Sequence, residues 1–251
     1  MPFAFLDHPG PIPYAHRGGA LEGLENTMPA FEAVTALGYR YLETDARVTA
    51  DGVLVAFHDD DLSRTCDRPG LISELPWSEV QAARVGGKEP IPLMEDMLGT
   101  FPQSRINLDA KSDRAVEPLI DAIRRTASVE RVCVGAFSDK RLKEIRTAFG
   151  PTLCTSMGPF EVARWMAASV IGGWGTPSVP VAQVPLKQSG IPVVTGRSVR
   201  SANRHGVQVH AWTIDEPAEM ERLLDLGVHG IMTDRPHVLK EVLQRRGQWF
   251  E

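Results

Sequence analysis

The first quarter of the chain carries His16-Arg17-Gly18-Gly19, Glu43-Thr44-Asp45 and His58-Asp59. Two imidazoles, a guanidinium and spaced carboxylates are the groups needed to cut a phosphate ester with the help of a metal ion. Glu43 and Asp45 stand two residues apart in an extended-looking run, so their side chains share one strand face. An Ala50-Asp51-Gly52 turn follows, then the apolar run Val53–Phe57. A two-residue Asp51-Gly52 loop would pair Ala50 with Val53 and bring Asp45 opposite His58. That register predicts a histidine delivered to the carboxylate pair.

A third acid, Asp109, ends a later strand-like run in Asn107-Leu108-Asp109-Ala110-Lys111. Glu43, Asp45 and Asp109 are hard oxygen donors, which suit Mg²⁺ or Ca²⁺ and suit Zn²⁺ poorly without histidine ligands. Three carboxylates in one pocket repel each other, and a divalent cation relieves the repulsion. The plainer reading is a set of ion pairs with Arg17, Arg47 or Lys111. His16 and His58 titrate near neutral pH and suit acid–base work, which is worth about 10²–10⁴-fold in rate. Each could instead be a metal ligand or a satisfied structural histidine. Arg17 offers a bidentate fork to phosphate and Lys111 a point charge. Gly18 and Gly19 let the backbone approach a ligand closely. Glu25-Asn26-Thr27 reads as a helix start, with Asn26 or Thr27 as the cap. His205, His229 and His237 read as structural, and His8 lies in a leader with no visible role. His210, two residues before Trp212, could line an interior.

The elements that must position these groups alternate between short apolar runs and amphipathic ones. Strands are predicted at Ile12–Ala15, Tyr39–Asp45, Arg105–Ala110, Arg131–Ala136, Thr152–Ser156, Val179–Val184, Val207–Trp212 and Ile231–Thr233. Helices are predicted between and after them, from Met28–Leu37 to Val238–Arg246. Asp59 to Pro92, with Pro69-Gly70 and Gly86-Gly87, reads as an insertion carrying a short helix near Ser78–Arg84. Alternating β and α in 251 residues argues for a closed (β/α)8 TIM barrel, a single domain over residues 1–251 with an insertion after the second strand. Such a barrel gathers its chemistry at the C-terminal strand ends. His16 and Arg17 follow the first strand, Glu43 and Asp45 end the second, and Asp109 and Lys111 end the third. Gln183 falls near the end of the sixth and Trp212 at the end of the seventh.

Composition narrows the partners. A net charge of −5 and the lack of a basic stripe disfavour nucleic acid. Cys66, Cys133 and Cys154 form no Cys-x-x-Cys and read as reduced thiols, which suits a reducing compartment. The N-terminus lacks the basic start and apolar run of an export signal. The most apolar stretch, Met166–Trp174, is far short of the ~20 residues that span a bilayer. A cytoplasmic location is expected, with peripheral membrane contact left open and no oligomeric state implied.

Taken together, the motifs resemble the glycerophosphodiester phosphodiesterase family. Ala15-His16-Arg17-Gly18-Gly19, Glu25-Asn26-Thr27, Glu43-x-Asp45, Thr49-x-Asp51-Gly52, Val55-x-x-His58-Asp59, Leu62-x-Arg64-Thr65 and Thr233-Asp234-x-Pro236 occur in family order. The resemblance implies a (β/α)8 barrel that hydrolyses a small glycerophosphodiester to sn-glycerol 3-phosphate and an alcohol. It implies His16 and His58 as the acid–base pair, Glu43, Asp45 and Asp109 around a divalent metal, and Arg17 and Lys111 on the phosphate. It also suggests attack by the substrate's own 2-hydroxyl, through a cyclic phosphate that water then opens. Asp109 stands where glutamate is common, one methylene shorter, and Leu24 replaces a frequent proline. A lysophospholipase D would need an apolar channel for its acyl chain. Leu71, Ile72, Leu75 and Trp77 of the insertion could build one, although packing onto the barrel is the preferred reading. Two readings of other classes are a Schiff-base aldolase using Lys111 and a barrel that only binds phosphate esters. The complete acid–base and metal set argues against the second, and loss of activity on chelation would oppose the first.

Overall fold

The computed structural model describes residues 3–172 and 179–250. Its barrel strands are β1 (Ile12–His16), β2 (Tyr41–Val48), β4 (Arg105–Ala110), β5 (Val132–Gly135), β6 (Cys154–Thr155), β7 (Val181–Pro185), β8 (Gln208–Trp212) and β9 (Gly230–Thr233). β3 (Leu54–Ala56) is a short arm paired with β2 outside the ring. The staves run β6-β5-β4-β2-β1-β9-β8-β7, all parallel. A parallel bridge between Ser156 and Val181 joins the two ends of that path. The fold is therefore the expected (β/α)8 barrel.

The helices are α1 (Met28–Ala36), a short α2 (Trp77–Val80), α3 (Met94–Thr100), α4 (Val116–Arg125), α5 (Asp139–Phe149), α6 (Pro159–Ile171), α7 (Gly196–Arg204), α8 (Pro217–Leu226) and α9 (Pro236–Arg245). Their apolar faces close two cores against the outside of the staves. One includes Phe31, Leu42, Met97, Ile106 and Leu119, the other Trp165, Val209, Leu223, Ile231 and Leu239. No helix among the described residues is long and apolar enough to cross a membrane. Met166 to Ile171 of the most apolar run lie in α6, and its end at Gly173-Trp174 lies outside the described residues.

Alternation along each stave decides what faces the barrel axis. Tyr14, Tyr41, Cys133, Cys154 and Val181 pack the interior. Phe5, from the one-turn leader Ala4–Leu6, joins them fully buried and meets the Tyr41 ring edge-on at 5.5 Å. The leader therefore fills the barrel floor, a role its sequence did not signal. One step further along the same faces come His16, Glu43, Asp45, Asn107 and Asp109.

The hairpin corrects the expected register by one residue. Ala46 lies opposite Ala56 and Val48 opposite Leu54, and the Phe57 amide donates to the Asp45 carbonyl at 3.0 Å. Asp45 is therefore opposite Phe57, not His58. The loop has three residues rather than two. Thr49 donates its amide to the Val53 carbonyl at 3.0 Å, and its hydroxyl accepts from the Val53 amide at 2.9 Å. Gly52, at φ 90°, takes the left-handed conformation that such a loop requires.

The insertion has a core of its own, in which Val55, Phe57, Leu62, Ile72, Val80 and Ile91 are buried. Its helix is shorter than expected because Arg84-Val85 turns back to pair antiparallel with Glu89-Pro90. Ile72 is buried, and Leu75 and Trp77 pack against this core, so these residues hold the insertion together rather than line an acyl channel.

Candidate active site

A cavity of about 350 Å³ opens at the C-terminal end of the staves. All seven residues singled out from the sequence line it: His16, Arg17, Glu43, Asp45, His58, Asp109 and Lys111. Gln183 and Trp212 line it as well. His210 does not. It is fully buried below, where the Tyr14 hydroxyl lies 3.1 Å from its Nδ1 and Gln208 Oε1 lies 3.0 Å from its Nε2. His205 and His229 make backbone contacts, and His237 pairs with Glu22, as structural histidines do.

The two cavity histidines are held alike. His16 ends β1 and sets its Nδ1 2.6 Å from Asp234 Oδ1. Asp234 follows β9, and its amide donates to Asp215 Oδ1 at 2.8 Å. His58 lies past β3 and sets its Nδ1 2.6 Å from Asp59 Oδ1. Arg47 Nε donates to the His58 carbonyl at 2.7 Å and fixes the loop from behind. A carboxylate at Nδ1 fixes ring orientation and leaves Nε2 of each imidazole for other work. Burial lowers the pKa of His16, but the charges of Glu43 and Asp234 outweigh it and the net shift is upward. Burial wins at His58, whose pKa is lowered despite Asp45 and Asp59. Burial also opposes ionisation of Asp59, yet hydrogen bonds with Arg64 and His58 hold it down to about 2.

The acids come from adjacent staves. Glu43 is the register partner of His16, and Asp45 that of Asp109. Lys111 Nζ sits 2.9 Å from Asp45 Oδ1 and 2.7 Å from Asp109 Oδ2. Asp45 Oδ2 also accepts from Asn26 Nδ2 at 3.0 Å and lies 3.4 Å from Arg17 Nε. Asn26 is thus tied to Asp45 and Thr44, and Thr27 caps α1 by accepting from the Ala30 amide. Glu43 turns to the Arg17 amide at 3.2 Å, with His16 Nε2 3.7 Å away. Burial and then the neighbouring Asp45 charge push Glu43 up to about 7. Arg17 itself is held left-handed at φ 51°, between β1 and the glycine pair. Gly18 packs so closely on α1 that an added Cβ would lie 2.9 Å from Ala30 Cβ.

The ion-pair reading of the acids is thus realised at Asp45 and Asp109. Among the described residues, no three His, Cys, Asp or Glu side chains stand ready-made around a cation. The donor chemistry nonetheless fits one. Asp109 Oδ1 is buried with no hydrogen-bond partner, and Glu43 shares its buried site with a like charge. Glu43, Asp45 and Asp109 are the residues that would hold a hard divalent ion.

Asp59, Asp234, Glu25 and Arg64 support the cavity residues; from sequence the Glu25-Asn26-Thr27 segment reads as structure first and pocket shaping second, and the other three have no assigned role. Asp59 was visible beside His58, and Asp234 stood in a quoted motif 218 positions from its histidine. Only the fold joins them.

Two carboxylate-anchored imidazoles beside a cluster of acids at a barrel mouth are an arrangement suited to the hydrolysis of phosphate esters. The sequence matches the Glycerophosphoryl diester phosphodiesterase family over residues 16–238, and the chain belongs to that family. It is 39% identical over 251 residues to a Mycobacterium tuberculosis protein named "Probable glycerophosphodiester phosphodiesterase 2", covering 98% of this chain and 95% of that one. A crystal structure from Silicibacter pomeroyi shares its fold at TM-score 0.84 and 23% identity, over 100% of both chains. An Oleispira antarctica phosphodiesterase, solved in complex with the product sn-glycerol-3-phosphate, matches at TM-score 0.78 and 21% identity, over 94% of this chain and 97% of that one.

Proposed function

We propose that this hydrolase cleaves glycerophosphodiesters to sn-glycerol 3-phosphate and an alcohol, with His16 and His58 as its acid–base pair and a divalent cation as cofactor. The observation that carries the reading is the pair of imidazoles, each fixed at Nδ1 by its own carboxylate, in one cavity with three acids and two bases. One imidazole takes the proton of the substrate's 2-hydroxyl as it attacks phosphorus, and the other gives a proton to the leaving alkoxide. Water then opens the cyclic phosphate by the reverse proton transfers. Arg17, whose buried Nε lacks a hydrogen-bond partner, and Lys111 bind the phosphate oxygens. A Mg²⁺ or Ca²⁺ held by Glu43, Asp45 and Asp109 would supply charge neutralisation and a more acidic hydroxyl. The product bound to the Oleispira antarctica enzyme supports this choice of product.

Lys111 is poorly suited to Schiff-base chemistry. Burial lowers its pKa, but Asp45 and Asp109 outweigh it and keep the amine protonated. The three free cysteines support a cytoplasmic setting.

A lysophospholipase D reading has one observation in its favour. The wall opposite the ionisable groups is apolar, built from Phe137, Met157, Val162, Val193 and Trp212. Phe137 is 64% exposed and meets Trp212 edge-on at 5.7 Å. An acyl chain would lie here, not in the insertion.

One panel tests both readings. The chelated enzyme is reloaded with Mg²⁺ or Ca²⁺ and given glycerophosphocholine, glycerophosphoethanolamine and lysophosphatidylcholine. Release of glycerol 3-phosphate only after reloading is expected. Full turnover in chelator would overturn the metal requirement, and a preference for lysophosphatidylcholine would favour the second reading.

A further inference from the structure

The motif Leu62-x-Arg64-Thr65 lies in the insertion, outside the catalytic set. Leu62 is fully buried in the insertion core. Asp61 caps the single turn Leu62–Arg64 by accepting from the Ser63 amide at 2.7 Å. The turn is therefore fixed by the insertion's own packing, and it aims Arg64 back toward the barrel mouth.

There the guanidinium meets two carboxylates from two different loops. Nη1 donates to Glu25 Oε2 at 2.9 Å and Nη2 to Glu25 Oε1 at 2.6 Å, a bidentate fork. Nε donates to Asp59 Oδ2. Each carboxylate then reaches a cavity residue. Glu25 Oε1 accepts from Arg17 Nη1 at 3.2 Å, and Asp59 Oδ1 lies 2.6 Å from His58 Nδ1.

We infer that Arg64 is a positioning residue: one side chain of the insertion sets the supports of both His58 and Arg17. This rests on the proposed roles of those two residues. The insertion then brings two separate loops into register instead of merely decorating the barrel. Without Arg64, Asp59 keeps one charged partner, His58, and is free to turn with it. Glu25 loses its two-point anchor and holds Arg17 less firmly. Lysine cannot replace the fork, because an ammonium offers no planar set of donors to two carboxylates at once.

The test compares Arg64→Gln, Arg64→Lys, His58→Ala and the double variant His58→Ala/Arg64→Gln, with glycerophosphocholine and saturating divalent metal. Arg64→Gln is expected to lower kcat by about 10–100-fold, the usual cost of losing a residue that orients a functional group. KM is expected to rise through Arg17, and Arg64→Lys to fall between glutamine and wild type. The deciding readout is the double variant. A residue acting through His58 adds nothing to kcat once the imidazole is gone, so His58→Ala/Arg64→Gln should match His58→Ala. Unchanged kcat in Arg64→Gln, or losses that multiply in the double variant, would overturn the inference. Near-normal turnover by His58→Ala would instead overturn the assignment of His58. If the glutamine variant does not fold, Arg64→Lys, which keeps the charge, carries the same comparison.

Discussion

Asp45 and Asp109 are register partners on neighbouring parallel strands, and one ammonium, Lys111 Nζ, contacts both within 2.9 Å. Two buried carboxylates side by side need a positive charge between them. Lys111 supplies it when no other cation does. Lys111→Met should therefore destabilise the chelated protein by about 3–5 kcal/mol, the cost of stripping one partner from a buried ion pair. Millimolar Mg²⁺ or Ca²⁺ should recover much of that loss, and should raise the melting temperature of the variant more than that of wild type. Thermal melts with and without chelator check this. Equal melting of both proteins in chelator would contradict it.

Asp234 holds His16 across the barrel seam between β9 and β1. Asp234→Asn keeps the shape and offers an amide where the imidazole meets a carboxylate. The ring loses its fixed orientation and the charge that favours its protonated form. We expect kcat to fall about 10–100-fold, with the melting temperature little changed. Steady-state kinetics beside a thermal melt separate the two effects, and an unchanged kcat would remove Asp234 from the account.

How much of this was legible follows from which distances are local. Glu43 and Asp45 share a face because strands alternate, and that needs only two residues of sequence. The barrel followed from repeated apolar runs, and it placed Asp109 and Lys111 correctly at the end of a stave. The hairpin slipped by one because a three-residue loop with a left-handed Gly52 and a two-residue Asp-Gly turn have nearly the same sequence signature. His58 still reaches the cavity, from the loop beyond the strand rather than from the ladder. Ion pairing of the acids with Lys111 was among the readings the sequence offered, whereas the contacts of Asp234 with His16 and of Arg64 with Glu25 were not legible. Each joins residues whose neighbourhood is set by strand order and loop packing, not by spacing. Phe5 was missed for the same reason, since nothing local marks a leader residue as the floor of a barrel.

His210 gives the fold a dependence on pH. Burial, reinforced by the nearby His229, pushes its pKa down to about 3 from an ordinary 6.5. Neutral His210 accepts from the Tyr14 hydroxyl at Nδ1 and donates from Nε2 to Gln208. Above pH 6.5 it is neutral in both folded and unfolded chains. Below 6.5 the unfolded chain takes up a proton that the folded one refuses, so stability falls as pH drops toward 3. Each pH unit within that window costs about 1.4 kcal/mol. His210→Gln should be less stable than wild type at pH 7 and should lose stability less steeply between about pH 6 and about pH 4, roughly the middle of that window. Urea melts across that range check the slope, and parallel slopes would contradict the assignment.

The central claim is that two anchored imidazoles move the protons of phosphodiester cleavage. It is tested most directly by the kcat of His16→Ala and His58→Ala for glycerol 3-phosphate release from glycerophosphocholine, with divalent metal present and folding verified by thermal melts. Each variant is expected to lose at least ~10²-fold while melting as a folded protein. Turnover near that of wild type by either folded variant would contradict the account.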